Sequence, residues 1–165
     1  MTVRQLTKTM RVNLICVGKK MPAWVTQGYE EYAKRLNKDC QLHLIEIDMA
    51  KRGKTSSPQK YKQEEAKKIR AVLPKGSYLV SLDVQGNQPG TEKLSVKLDQ
   101  WMHLGRDVSI LIGGPDGIDD RLLSESDEKM SLSNLTFPHP LVRVILAEQL
   151  YRAWSLLNNH PYHRA

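Results

Sequence analysis

The stretch LSNLTFPHPLVRVILAEQLYRAW, Leu132–Trp154, is the part of this 165-residue chain around which we expect the rest to pack. It begins as a polar loop and becomes a helix at Pro140, because the fixed φ of proline suits a first helical position. Apolar side chains then occupy nearly the whole circumference, at Leu141, Val142, Val144, Ile145, Leu146, Leu150, Tyr151 and Trp154. A helix that is apolar all round is buried on more than one side. A sheet on one side and a second subunit on the other is one solution.

Glu148, Arg152 and Ser155 are polar exceptions on this helix, and their spacing of four and three places them on one narrow face. Glu148 and Arg152 can pair as i,i+4 neighbours. This edge is either the solvated side of a core helix or the lining of a site. Upstream, Leu111–Gly117 (LIGGPDG) is an apolar strand that runs into a glycine turn. The two stretches together suggest a ligand pocket.

The composition, 40% hydrophobic and 26% charged, is typical of one soluble globular domain. The chain has neither an apolar run long enough for a bilayer nor an apolar N-terminal leader, which predicts a cytoplasmic protein with no membrane contact. We expect residues 1–9 to be a flexible extension, with Met10 an alternative start, and residues 10–165 to form a single domain. Cys16 lies in an apolar strand pattern, and no CxxC pair suggests zinc or redox chemistry.

Positive charge is concentrated in one region of a chain whose net charge is +7. Three cations fall within Lys51–Lys54, and Lys60, Lys62, Lys67, Lys68 and Arg70 follow. Such a balance favours an anionic partner, of which nucleic acid is the commonest. The alternative is a solvated, lysine-rich helix face.

Strand and helix patterns alternate along the chain. Strands are predicted at 11–17, 42–47, 77–84, 108–112 and 130–132, a mobile loop at 48–58 and a turn at 86–90. Helices are predicted after Pro22, over 59–73, after a Thr91 cap, and briefly after a cap at Asp119 or Asp120, before the C-terminal helix. This order predicts an α/β fold with a mainly parallel sheet flanked by helices.

Ligands of parallel sheets bind outside the carboxyl ends of the strands. Three of those ends are unusual: Leu82-Asp83, Gly113–Gly117 and Ser131–Pro138. GGPDG is neither a dinucleotide fingerprint nor a Walker A loop. Ser131–Pro138 mixes small polar and apolar residues, a composition that can hold an adenosine. The alternative in both cases is a plain connection between strand and helix.

The C-terminal tail, Asn158–Ala165, concentrates hydrogen-bond donors, an aromatic ring and a cation. Tyr162 and Arg164 can stack on unpaired bases, and His160 and His163 can move protons near neutral pH. The alternative is a disordered terminus.

Taken together, several motifs resemble one known family. VGKKMPAW, GYEEYAKRL, LIEI, KRGK and SLDVQG are followed by LIGGPDG, SLSNLTFPHPLVRVILAEQLYRAW and NHPYHR. In this order they resemble the ribosomal large-subunit RNA methyltransferase H (RlmH) family of the SPOUT superfamily, over Met10–Ala165. The resemblance implies a homodimer with a C-terminal trefoil knot. It also implies methyl transfer from S-adenosylmethionine to N3 of a pseudouridine in 23S rRNA of the assembled ribosome.

Matched motif by motif, the resemblance implies a cofactor pocket formed by Leu82, Gly113, Leu132, Ser133, Asn134, Leu135, Thr136 and Phe137. These residues lie at the three strand ends chosen above on physical grounds.

For the chemistry we expect His163, or a water that it holds, to take the proton from N3, and Tyr162 to stack on the target base. Arg152 and Arg164 would offset the negative charge that develops, and the tail of one subunit would complete the site of the other. No metal is needed.

The basic loop at Lys51, Arg52 and Lys54, with the helix at 59–73, is expected to contact rRNA phosphates. A non-enzymatic ribosome-binding factor with a knotted α/β fold is the main alternative function. A nucleotide-dependent oxidoreductase is disfavoured, because its glycine fingerprint and acidic ribose-binding residue are missing.

Overall fold

Five parallel strands form the sheet in the computed structural model, which describes residues 9–36, 39–54 and 56–163. The strands are β1 (Met10–Val17), β2 (Cys40–Ile47), β3 (Tyr78–Asn87), β4 (Val108–Ile112) and β5 (Glu128–Met130). Their order across the sheet is β2-β1-β4-β3-β5, and every neighbouring pair runs parallel. The predicted α/β class with a mainly parallel sheet is therefore confirmed.

Helices follow the strands and cover both faces of the sheet. They are α1 (Ala23–Ala33), α2 (Pro58–Val72), α3 (Thr91–Met102), α4 (Asp120–Glu125) and α5 (His139–Leu157). Alternate side chains of β1 enter two separate apolar cores, because successive side chains of a strand point to opposite faces. Leu14 packs with residues of α1, α3 and α5, whereas Ile15 packs with residues of α2 and α4. The burial of Cys16 in the first core raises the pKa of its thiol to about 12, so this cysteine stays protonated.

Helix α5 packs along α1 and α3, and none of its residues is fully exposed. This burial agrees with a helix that is apolar all round. It begins at His139 rather than at Pro140, with Pro138 as its N-cap. The polar edge is also narrower than predicted. Ser155 is fully buried and donates its hydroxyl hydrogen to the carbonyl of Arg152, over 2.7 Å, so only Glu148 and Arg152 form that edge.

Strand β3 is longer than predicted and includes part of the expected turn at 86–90. After a bulge, Asn87 pairs with Met130 of β5. A Cβ on Gly86 would lie 2.6 Å from the backbone nitrogen of Met130. The glycine is therefore required for close contact between two strands and not for a turn. The same pairing places β5 at 128–130 instead of 130–132.

Two predicted helix caps have different outcomes. Asp119 caps α4 by accepting a hydrogen bond from the backbone N–H of Leu122, at 3.2 Å. The predicted Thr91 cap is wrong, because the N-cap of α3 is Gly90 and makes no side-chain cap bond. Thr91 instead donates its hydroxyl hydrogen to Gln149 over 3.2 Å and joins α3 to α5.

The C-terminal tail is ordered against α5 as far as the structure describes it. Pro161–His163 form a 3₁₀ turn, and the Tyr162 ring lies 4.6 Å from that of Tyr151. Arg164 and the extension at 1–8 lie outside the described residues. In the described part of the chain no helix combines the length and the apolar character that a bilayer crossing requires.

Candidate functional site

An open cavity of about 770 Å³ lies at the carboxyl edge of the sheet, and we call it the strand-end cavity. Its walls come from the segments that follow β3, β4 and β5, which are the three strand ends singled out in the sequence. This is where parallel sheets bind ligands. Its volume is within the range of about 300–1,000 Å³ that small-molecule sites occupy.

Seven of the eight residues expected at a cofactor pocket line this cavity. They are Leu82, Gly113, Leu132, Ser133, Leu135, Thr136 and Phe137. Asn134 does not line it, because its side-chain oxygen accepts a hydrogen bond from the amide of Gln88. The expected grouping of the three strand ends is therefore present, except for this asparagine.

Two serines shape the passage from β5 to α5. Ser131 donates its hydroxyl hydrogen to the carbonyl of Ser133 over 3.0 Å. The hydroxyl of Ser133 in turn accepts the backbone N–H of Leu135, also at 3.0 Å. These local bonds replace sheet and helix bonds in a turn, as serine side chains commonly do. They leave Leu135 69% exposed at the cavity wall.

The loop after β4 turns back tightly on itself. Gly117 donates its N–H to the carbonyl of Gly114 over 3.0 Å, and a Cβ on Gly113 would lie 2.9 Å from the carbonyl carbon of Gly117. Asp116 lies in this loop, and its carboxylate accepts a 2.5 Å hydrogen bond from Arg52. Arg52 therefore already has an anionic partner within the chain, whereas Lys51 and Lys54 on either side of it are exposed.

The expected catalytic residues Arg152, Tyr162 and His163 lie together, but away from the strand-end cavity. Both Arg152, at 2.6 Å, and the Tyr162 hydroxyl, at 2.9 Å, donate to the same Glu148 carboxylate oxygen. The Arg152 guanidinium also lies 5.1 Å from the centre of the Tyr162 ring. Burial and this carboxylate raise the pKa of Tyr162. The Glu148–Arg152 pair predicted from the spacing is confirmed.

Arg152 and His163 line a second cavity of about 440 Å³, which we call the tail cavity. The start of α3 forms its other side, including Gly90, Thr91 and Lys93. A bridging cavity of about 430 Å³ lies between the two, because it shares Thr91 with the tail cavity and Ser133 with the strand-end cavity. Arg152 therefore lines the tail cavity and not the strand-end cavity of the same chain. Helix α5 is long enough to place this edge more than two turns beyond its start.

Sequence reasoning missed two residues at the start of α5. Arg143 is 1% exposed and donates to Glu46 at 2.6 Å and to the carbonyl of Gly18 at 2.7 Å. His139 lines the strand-end cavity, and its Nδ1 is buried with no hydrogen-bond partner among the described residues. Burial and the positive charge of Arg143 lower the pKa of His139, so the imidazole is neutral at neutral pH. The sequence signal for this pair was an arginine flanked on both sides by apolar residues.

The basic region is an exposed surface at the described positions. Lys51, Lys54, Lys60, Lys67 and Arg70 are all exposed. Lys62 and Lys68 are partly buried and face Asp120 and Glu64, at 3.9 Å and 3.7 Å. This surface lies on α2 and on the segment before it, next to the strand-end cavity, which Lys62 also lines. Among the described residues, no group of three or more His, Cys, Asp or Glu side chains is arranged to hold a metal ion.

Comparisons with known proteins agree with the resemblance drawn from the motifs. The family described as "Predicted SPOUT methyltransferase" matches residues 10–163. A protein of Hydrogenovibrio crunogenus named ribosomal RNA large subunit methyltransferase H is 55% identical, over 94% of this chain and 99% of its own length. A protein of the same name from a Marinomonas species is 52% identical, over 94% of this chain and its whole length.

A solved structure of a probable methylase family protein from Haemophilus influenzae Rd KW20 superposes with a TM-score of 0.48 and 14% identity, over 96% of this chain and 70% of that one. The family match and the identities above, which extend over nearly the full length of both chains, are sufficient for an assignment. This chain belongs to the SPOUT methyltransferase family and, within it, to the ribosomal RNA large subunit methyltransferases H.

Proposed function

We propose that this protein transfers a methyl group from S-adenosylmethionine to N3 of a pseudouridine in 23S rRNA of the assembled ribosome, in the cytoplasm. The observation that carries the proposal is the strand-end cavity. It lies at the carboxyl ends of β3, β4 and β5, and seven of the eight residues expected for the cofactor line it.

The residues of the strand-end cavity fit this methyl donor. Leu82, Leu132 and Phe137 supply apolar walls for an adenine ring, while Ser133 and the glycine loop supply polar groups. Asp83 also lines the cavity and is half-buried, and its carboxylate has no hydrogen-bond or ion-pair partner among the described residues. An unpaired carboxylate suits a cationic ligand. S-adenosylmethionine, when bound there, supplies an electrophilic methyl group on a positively charged sulfur.

The tail groups supply the acid–base part of the reaction. The imide nitrogen N3 of pseudouridine is a poor nucleophile until it loses its proton, so a base is required. We assign that role to His163 or to a water that it holds, since its Nδ1 is buried without a partner among the described residues. Arg152, which Glu148 holds in place, and Arg164 offset the negative charge that develops on the target pseudouridine. Tyr162 stacks on that pseudouridine.

A homodimer reconciles this chemistry with the distance between the two cavities. Arg152 and His163 line the tail cavity and not the strand-end cavity of the same chain. The tail of one subunit would therefore bring its acid–base groups to the target base beside the strand-end cavity of its partner. Residues 10–165 act as one domain in this proposal, with α5 passing through a loop to form the trefoil knot that the family resemblance implies. The basic surface, with exposed Lys51, Lys54, Lys60 and Lys67, would contact rRNA phosphates.

The experiment that tests the proposal uses labelled methyl groups. Ribosomes from cells that lack this protein are incubated with the purified protein and S-adenosylmethionine labelled in its methyl group, and the labelled nucleoside is identified by mass. We expect a monomethylated pseudouridine from 23S rRNA. Tight ribosome binding with neither donor binding nor transfer would contradict the proposal. It would favour the second candidate, a ribosome-binding factor, which the exposed lysines alone would explain.

A further inference from the structure

We propose that Arg52 is a positioning residue for the methyl donor, because its ion pair with Asp116 holds the loop at 113–117 that forms one wall of the strand-end cavity. The inference rests on the proposed use of that cavity for S-adenosylmethionine. It departs from the expectation that Arg52 contacts rRNA phosphate, since the guanidinium already forms an ion pair with Asp116 at 2.5 Å.

Arg52 is held in place from its own side of the pair. Its guanidinium carbon lies 4.9 Å from the centre of the Tyr61 ring on α2, within the range of a cation–π contact. The hydroxyl of Tyr61 accepts the N–H of Gly53 and donates to the carbonyl of Gly53, both at 3.0 Å. The residue after Arg52 is thus fixed to the same side chain on which Arg52 stacks. A guanidinium that is already oriented loses little freedom when it forms its ion pair.

A second contact ties the same segment to α2 underneath the loop. The N–H of Ala50 donates to the Glu65 carboxylate over 3.0 Å, and Glu65 is only 2% exposed. The other oxygen of Glu65 would lie 3.5 Å from a Cβ on Gly114. Glu65 therefore lies against the glycine loop while it binds the segment that carries Arg52. The loop at 113–117 thus contacts α2 through Glu65 and is also held by the ion pair between Arg52 and Asp116.

Asp116 is the point through which this arrangement reaches the cavity. Its side chain is 15% exposed and lines the strand-end cavity together with its loop neighbours. When a loop has to become ordered for a ligand to bind, the free-energy cost of ordering it lowers the affinity. With Arg52 in place the wall is already ordered, so binding of the donor does not carry that cost.

Charge and order predict opposite effects if Arg52 is removed. Without Arg52, Asp116 becomes an unpaired carboxylate beside the cavity, and charge alone would then strengthen the binding of a cationic donor. Loss of order instead weakens every ligand that uses the wall, whatever its charge. S-adenosylhomocysteine lacks the methyl group and the positive charge at sulfur, so the two ligands separate the effects.

The test measures dissociation constants of the full-length protein for S-adenosylmethionine and S-adenosylhomocysteine by titration calorimetry. For Arg52→Ala we expect weaker binding of both ligands by about three- to tenfold, the scale of a partly exposed ion pair. Arg52→Lys, which keeps the charge without the planar group, should fall between Arg52→Ala and the wild type. The exchanged pair Arg52→Asp with Asp116→Arg should recover most of the affinity.

Arg121→Ala is the matched control, because it breaks the Arg121–Glu125 ion pair of 3.3 Å on α4, and neither residue lines the strand-end cavity. It should leave both dissociation constants unchanged. Unchanged constants in Arg52→Ala, or tighter binding of S-adenosylmethionine alone, would overturn the positioning role. Wild-type protein that binds neither ligand would instead overturn the proposed function, on which this inference rests.

Discussion

The guanidinium of Arg143 on α5 donates to the carboxylate of Glu46 on β2 over 2.6 Å, in a place where the arginine side chain is 1% exposed. Its second terminal nitrogen donates to the carbonyl of Gly18, at 2.7 Å, just after β1. One buried cation thus joins the start of α5 to the carboxyl ends of two adjacent strands. His139, one turn earlier on the helix, lines the strand-end cavity. The ion pair therefore holds the start of α5 against these two strands, next to the strand-end cavity.

Removal of Glu46 should destabilise the protein more than replacement of Arg143 does. Glu46→Ala leaves a buried guanidinium without its counter-charge, and the free energy of unfolding should fall by about 3 kcal/mol, the lower end for a broken buried pair. Arg143→Met should cost less, since the remaining Glu46 carboxylate, 32% exposed, can be hydrated. Urea unfolding of both variants measures the difference.

The control for that comparison is Glu64→Ala, which breaks the more exposed Lys68–Glu64 pair on α2. The urea concentration at the midpoint of its unfolding should stay near that of the wild type, because exposed ion pairs contribute little to stability. Equal losses of unfolding free energy in Glu46→Ala and Glu64→Ala would show that burial of Arg143 does not make the loss of its partner more costly.

Glu128 makes stability depend on acidity. Burial alone would raise the pKa of its carboxyl, but hydrogen bonds from Lys97, Trp101 and Tyr78, at 2.8, 3.1 and 2.8 Å, outweigh it and hold that pKa below the ordinary value of 4.5. The folded carboxyl therefore takes up a proton less readily than the unfolded one. Its contribution to stability is complete above pH 4.5 and is lost as the pH falls through the lower, folded pKa.

Unfolding curves of the wild type and of Glu128→Gln between neutral pH and pH 3 check this. The wild type should be the more stable of the two above pH 4.5, and the difference should shrink as the solution becomes more acidic. A difference that grows with acid would mean that the carboxyl has a raised pKa in the folded protein.

The strand-end cavity could be predicted from the sequence because the carboxyl ends of parallel strands lie at the same edge of the sheet. Leu82, Gly113 and Ser133 are far apart along the chain, yet the βα order alone places the ends of β3, β4 and β5 at one edge. The motif resemblance then selected the same residues. Asn134 does not line the cavity because its side chain accepts a hydrogen bond from Gln88, and nothing local in the sequence encodes that bond.

Contacts between distant segments explain what sequence reasoning missed. Arg143 is separated from Glu46 by 97 residues, so its burial as an ion pair had no local signal. Gly86 was interpreted as a turn residue, because nothing in a single sequence separates a glycine that turns from one on which another strand packs. Arg152 lines the tail cavity with the start of α3, which is distant from it in the chain. Spacing within a helix indicates which residues share a face but not what that face meets.

Arg152→Ala should abolish most of the methyl transfer while donor binding stays intact. Loss of one group that stabilises developing charge reduces turnover by about 10²–10³-fold. Arg152 acts in this proposal on the charge of the target pseudouridine and is not among the residues that hold the donor in the strand-end cavity, so the dissociation constant for S-adenosylmethionine should not change. Single-turnover transfer to ribosomes, with donor binding measured separately, gives both quantities. Full transfer in this variant would remove Arg152 from the proposed mechanism.

His163→Ala should reduce turnover through loss of the base, by about 10²–10⁴-fold. His103→Ala is the matched control, since that imidazole is 68% exposed at the end of α3, outside all three cavities described above. If His163→Ala is as active with assembled ribosomes as His103→Ala, N3 loses its proton by another route. The neutral His139 in the strand-end cavity would then be the next residue to replace.

Neutralisation of Lys51 and Lys54 together should make ribosome binding less sensitive to salt. Each phosphate contact contributes about 0.7–0.9 to the slope of log affinity against log salt concentration, so the double alanine variant should lower the slope by about 1.5. Lys34→Ala with Lys75→Ala is the control, because it removes the same charge from exposed positions outside the basic surface. Lower affinity with an unchanged slope in the Lys51 and Lys54 variant would mean that these lysines act through the conformation of the Arg52 segment and not through phosphate contacts. A lower slope in that variant alone assigns the rRNA contact to the surface beside the strand-end cavity.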